Sequence, residues 1–210
     1  MIGIIDYGMG NLRSVEKAVQ HVGHDARILR TADQVGDVDK LILPGVGAFS
    51  DGMDRLRDHH WDDAISDFIA SGKPFLGICL GMQLLFDSSE ESAFGQTGVV
   101  AGLGVLKGEV RAFTQPTDQP AIKIPHMGWN AIDLVRPDMP LFADLPGEPS
   151  VYFVHGYFVA PADESTISAT CEYGGRFCAA AWRDNVWAAQ FHPEKSQRVG
   201  LKMIENFASL

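Results

Sequence analysis

The chain has 210 residues, enough for one large domain or two small ones with a sizeable buried core. Apolar residues make up 46% and charged residues 21%, as in ordinary globular proteins, and the formal net charge of −10 disfavours phosphate backbones, so no nucleic-acid partner is expected. No apolar run of about 18 residues offers a membrane span. No basic run suits an anionic membrane surface.

The opening "MIGIIDYGMG" has a short apolar run stopped by Asp6 and no basic leader, so it reads as the first strand of a cytoplasmic protein and not as a signal peptide. "GNLRSVEKAVQHVG" places Leu12, Val15, Val19 and Val22 at helical spacing and closes at Gly23. "ARILR" is a short strand and "DKLILPG" a buried one. The stretch from Phe49 to Gly72 reads as one or two helices. "PFLGI" is the next strand, and "LGMQLLFDSS" reads as the next helix. Such alternation predicts a parallel sheet with helices on both faces.

The second half changes character. "GVLKGEVRAF", "AIKIPHMGW", "VYFVHGYFVA", "TISATCEY", "RFCAAAWRD" and "VWAAQFHP" read as strands joined by Gly, Pro and Asp turns. An amphipathic helix from about Gln197 to Ser209 closes the chain, and Gln115–Pro120 is the most loop-like segment. With no linker between the halves, residues 1–210 read as a single α/β domain with a mixed sheet.

Cys79 stands between Gly77 and Gly81 where a strand gives way to a helix. That is the pattern of a nucleophile elbow with Cys in place of Ser: glycine two residues either side removes Cβ atoms that would clash around a sharp turn. A helix N-terminus at the sulfur would favour thiolate. A nucleophile needs a base and the base an orienter. His192 ends a strand-like run, and Glu194 follows two residues later, an offset that in extended chain puts both side chains on one side. Gly45, Val46 and Gly47 follow a buried strand and let backbone N–H groups approach a ligand. One such N–H, at Val46 or Gly47, would form an oxyanion hole with that of Leu80, while Gly45 is read as a substrate contact. Cys171 and Cys178 lie in alternating segments and read as small buried residues; three cysteines make no disulfide framework, and no zinc-ligand spacing appears. The G-x-G in "DYGMGNLR" lacks a third glycine, with Arg13 in its place, so a dinucleotide site is not expected. His21, His24, His59 and His60 fall on polar stretches and read as solvated.

"PGVGAF", "GICLGMQLLF" and "FHPEKS" closely resemble the class I (triad-type) glutamine amidotransferases, and the likeness runs from Gly3 to the last helix. The resemblance implies a flavodoxin-like α/β fold with a central, mostly parallel mixed sheet. It implies release of ammonia from glutamine through a cysteinyl thioester, with Cys79, His192 and Glu194 as the triad and no metal or organic cofactor. It also supports Gln83 as a contact of the bound amino acid. Glu91 is a weaker candidate for its ammonium group, and His155 and Tyr157 in "HGYF" read either as pocket residues or as core. "IIDYGMGNLRSV", "PHMGWN" and "YFVHGYF" resemble the members of the family that pair with a (βα)8-barrel cyclase in histidine biosynthesis. The implied partner is that cyclase subunit in a heterodimer, met at Asn11, Trp129 and Lys195. A glutaminase subunit of an anthranilate or aminodeoxychorismate synthase, a stand-alone cysteine hydrolase and an idle glutamine-binding module are the competing readings.

Overall fold

The computed structural model describes residues 1–91, 98–116 and 120–210. Its first half runs β1 (Ile2–Ile5), α1 (Leu12–His21), β2 (Ala26–Leu29), β3 (Lys40–Gly45), α2 (Phe49–Asp58), α3 (Trp61–Ala70), β4 (Phe75–Cys79) and the single turn α4 (Leu80–Gln83). Then come β5 (Phe86–Ser89), β6 (Val100–Ala101), β7 (Leu106–Ala112), β8 (His126–Ala131), β9 (Asp133–Leu134), β10 (Ser150–His155) and β11 (Tyr157–Pro161). The chain closes with β12 (Ile167–Glu172), β13 (Arg176–Arg183), β14 (Val186–Ala189) and α5 (Gln197–Ser209).

The main sheet has eight strands in the order β2-β1-β3-β4-β14-β13-β12-β9. The first five are parallel and the last three antiparallel. Both faces are covered, so the central strands are apolar throughout and sort by the period of two. Ile2, Ile4, Ile42, Leu76 and Ile78 pack with Val15 and Val19 of α1 and Met203, Ile204 and Phe207 of α5. Ile5, Leu41, Leu43 and Phe75 pack on the other face with Phe49, Met53 and Leu56 of α2 and Trp61, Ile65 and Phe68 of α3. Among the described residues no helix is long and apolar enough to cross a membrane.

Three expectations are corrected. The helix read over "LGMQLLFDSS" is one turn, and Phe86–Ser89 is a strand. Distant donors stop the helix: Leu103 N donates to Leu84 O, Leu106 N to Leu85 O and Gly104 N to Phe86 O, taking carbonyls a longer helix would use. "VYFVHGYFVA" is two strands, not one: β10 pairs with β8 and β11 with β7, in separate sheets broken at Gly156. The chain therefore builds three sheets, the eight-stranded one beside β10-β8 and β11-β7-β5-β6. "AIKIPHMGW" is extended only from His126, because Pro125 before it carries no N–H to donate to a ladder. The loop read at Gln115–Pro120 falls partly on 117–119, outside the described residues.

Candidate active site

Three neighbouring parallel strands deliver the site at their C-terminal ends, where open α/β sheets place ligands. β4 ends at Cys79, β3 pairs Gly45 with Cys79, and β14 pairs Ala189 with Ile78, so His192 emerges beside the cysteine. Cys79 has φ 55° and ψ −112°, a strained conformation for a residue with a Cβ. The glycines around it are sterically required. A Cβ on Gly81 would lie 1.9 Å from Leu43 O, and one on Gly77 would lie 2.7 Å from Gly81 O. The helix after the elbow is a single turn, too short to carry the dipole expected of it.

His192 Nδ1 lies 2.8 Å from Glu194 Oε1, with both side chains almost fully buried. The link is not extended chain: Pro193–Lys195 form a 3-10 turn, closed by Lys195 N donating to His192 O. Pro193 fixes its φ for such a turn, and the turn swings Glu194 back to the ring. Burial alone would lower the His192 pKa. The Cys79 sulfur and the Glu194 carboxylate offset that and raise it to about 9, so the ring is an imidazolium at neutral pH. With Nδ1 given to Glu194, Nε2 is the nitrogen left for Cys79; it is buried and makes no hydrogen bond among the described residues.

A cleft of roughly 120 Å³ opens over the sulfur, lined by Val46, Gly47, Cys79, Leu80, Gln83, Glu91, Val154, His155, Gly156 and Tyr157. Its narrow floor suits a slender side chain. Gly47 has φ +105°, open to glycine and strained for other residues. Gly45 lies below the cleft rather than on it: a Cβ there would meet Tyr7 Oη at 2.5 Å and Leu80 Cβ at 2.8 Å.

The polar groups of the cleft are tied together. Gln83 Nε2 donates to Tyr157 O and to Gln190 Oε1, each at 3.0 Å, so both its hydrogens are used and only Oε1 remains for a ligand. Glu91 accepts the Phe49 N–H at the start of α2 at 2.9 Å, and burial raises its pKa. His155 Nδ1 lies 2.7 Å from Tyr157 O, and its Nε2 lies 3.1 Å from His126 Nδ1. A carbonyl only accepts, so His155 carries its proton on Nδ1 and accepts from His126 through Nε2. Burial pushes the His155 pKa down to about 3, which keeps the ring neutral.

Asn11, Trp129 and Lys195 are all exposed and line no part of the cleft. Trp129 pairs across β8–β10 with Tyr152, whose carbonyl accepts the His192 N–H at 2.9 Å. Cys171 and Cys178 are buried, with thiols pushed up to about 12 by burial. His21, His59 and His60 are exposed and His24 is half-buried. Among the described residues no group of three or more His, Cys, Asp or Glu is placed to hold a metal ion.

Sequence reasoning passed over Gln190. It is fully buried, and its Nε2 lies 3.8 Å from Cys79 Sγ. The available signal was a lone amide inside the apolar run "VWAAQF", since buried polar residues need partners.

The family model "Glutamine amidotransferase class-I" matches residues 3–209. An imidazole glycerol phosphate synthase subunit HisH from Syntrophotalea carbinolica is 52% identical over 212 residues, covering 100% of both chains. Its counterpart from Rhodopirellula baltica is 51% identical and covers 100% of this chain and 97% of its own. Among solved structures, PurLQS from Thermotoga maritima superposes with a TM-score of 0.75 at 19% identity, covering 99% of this chain and 97% of that one, a likeness of fold alone. The chain belongs to the class-I glutamine amidotransferase family, and within it to the group of imidazole glycerol phosphate synthase HisH subunits.

Proposed function

We propose that the chain is the glutaminase subunit of imidazole glycerol phosphate synthase, acting as one glutamine amidotransferase domain over residues 1–210 and passing ammonia to a (βα)8-barrel cyclase subunit in histidine biosynthesis. The observation that carries this reading is the strained Cys79 beside the buried His192–Glu194 pair, at the floor of a cleft sized for a side chain. The glutamine carboxamide sits over Cys79, its oxygen toward the backbone N–H groups of Val46, Gly47 and Leu80. The sulfur attacks the carboxamide carbon, and a C–S bond forms. His192 gives its Nε2 proton to the leaving nitrogen, the C–N bond breaks, and ammonia departs. Water then attacks the thioester, His192 takes its proton, and the C–S bond breaks to release glutamate. Glu194 holds the ring and stabilises the imidazolium. Gln83 Oε1 and Glu91 accept from the glutamine ammonium group, while His155 and Tyr157 wall the cleft.

Asn11, Trp129 and Lys195 form the cyclase-facing surface, and the Trp129–Tyr152 pair links it to the His192 backbone. The location is cytoplasmic, a reading supported by three free cysteines. The test is ammonia release from glutamine with purified cyclase present and absent. Release with cyclase, lost in Cys79→Ala, is expected; no release with either sends the reading to a different chemistry.

A further inference from the structure

We infer that Gln190 is a positioning residue for the nucleophile: its side-chain amide donates to the Cys79 sulfur and favours the thiolate over the thiol. The inference rests on Cys79 being the nucleophile and adds a group to that site.

The direction of this amide follows from its neighbours. The Tyr157 carbonyl only accepts, so it takes an N–H from Gln83. Gln83 spends its second hydrogen on Gln190 Oε1 at 3.0 Å. Turning the Gln190 amide over would set two NH2 groups against each other. Its NH2 must therefore face the sulfur, at 3.8 Å. A backbone carbonyl thus sets the polarity of a two-glutamine chain that ends on the nucleophile. Both amides are buried: Gln83 is 4% and Gln190 0% exposed. In such surroundings a neutral N–H donor counts for more than at the surface.

The sulfur has a second neighbour of opposite effect. Cys79 Sγ lies 3.9 Å from Val154 O, which accepts from a thiol and repels a thiolate. Val154 O holds the S–H form, and Gln190 Nε2 compensates the charged form. The titratable groups around the sulfur are Tyr7 after β1, Glu91 after β5, His155 on β10, Tyr157 on β11, and His192 with Glu194 after β14. Gln190 differs from all of them in being a donor whose strength does not change with pH.

The experiment is the pH dependence of Cys79 alkylation by iodoacetamide in the full chain, with the modified peptide identified by mass spectrometry. Gln190→Leu replaces the amide with an apolar side chain of similar size and presents no donor to sulfur. Gln190→Met removes donor and acceptor together. Both variants should move the alkylation midpoint up by about one pH unit. An unchanged midpoint in either folded variant, whatever its melting temperature, overturns the assignment. If neither variant folds, the unmodified chain decides: the 15N side-chain resonance of Gln190 should shift as Cys79 ionises and stay still in Cys79→Ala. A resonance that ignores Cys79 ionisation overturns the assignment too. The nucleophile reading fails separately, if Cys79→Ala still releases ammonia from glutamine.

Discussion

At Cys79 the backbone holds φ 55°, a conformation that costs on the order of 1–3 kcal/mol for any residue with a Cβ. Alanine bears the same strain as cysteine, so Cys79→Ala should fold as the unmodified chain does by circular dichroism. Its glutamine hydrolysis should fall below ~1% of the original, as expected when a covalent nucleophile is removed, while the cyclase still turns over with added ammonium salts. His192→Ala should lower hydrolysis by ~10²–10⁴. Glu194→Gln should cost less, because it perturbs the ring's orientation without removing the proton carrier; the reverse ranking in steady-state rates would contradict the roles. The same pair sets a pH dependence of stability. The His192 pKa is raised from 6.5 to about 9 in the folded chain, against burial, by Cys79 and Glu194. Its contribution is therefore full below pH 6.5 and is lost as pH rises through about 9. Melting temperatures should show Glu194→Gln trailing the unmodified chain most below that window, with the gap closing above it. A gap that widens with rising pH would contradict the assigned shift.

Two glycines make the elbow buildable, and a third seats the turn that carries Glu194. Gly81 has no free volume toward Leu43 O, where an added Cβ would fall at 1.9 Å against backbone. Gly81→Ala must push β3 and the elbow apart, and should destabilise by about 3 kcal/mol or more. Gly77→Val meets Gly81 O at 2.7 Å and should lose soluble yield as well as activity. Gly200 on α5 lies where a Cβ would come 1.9 Å from Pro193 O, in the turn that carries Glu194. Gly200→Ala should then lower the hydrolysis rate although it touches no substrate, because it shifts that turn against His192. Thermal melts and steady-state rates on the three variants check this ordering; a Gly200→Ala enzyme of unaltered rate would show that the turn tolerates the displacement.

Across the whole molecule, the cleft lies between the large sheet and the two smaller ones. Val46 and Gly47 come from the end of β3, while Val154, His155, Gly156 and Tyr157 come from the β10–β11 break. A partner seated on Trp129 would bear on β8 and β10, and so on the Tyr152 carbonyl that holds the His192 N–H. Such a partner favours a competent arrangement only as far as it binds that arrangement better. A donor missing from the oxyanion hole costs ~10²–10³ in rate. The isolated chain is therefore expected to hydrolyse glutamine at least ~100-fold more slowly than the complex. Gly47→Ala, forced onto φ +105° and against the Met9 methyl, should blunt this activation more than it weakens partner binding. Full-rate turnover by the purified chain without cyclase would falsify the dependence.

The order of elements through β4 was legible because their apolar periods are long and their ends are marked, as Gly23 and Gly72 mark helices α1 and α3. Cys79 between glycines and His192 two residues before Glu194 were legible as candidate chemistry, because each pairing is local in the chain. Their meeting was not, since the juxtaposition of β4 and β14 is a pairing across more than a hundred residues that no local pattern states. Leu84–Ser89 misled for the same reason: its apolar residues suit a helix, and only donors from residues 103–106 pull it into a strand. "YFVHGYF" read as one strand because alternation continues through Gly156, while the partner strands β8 and β7 that part it lie elsewhere in the chain. The role of Gln190 was illegible beyond its place in an apolar run, because a buried amide is defined by its partners, and these are Gln83 and Cys79, more than a hundred residues away. Local sequence determined which residue types stand at each turn. Long-range strand pairing decided which of those turns face one another, because hydrogen bonds between distant segments satisfy backbone groups that local propensity leaves open.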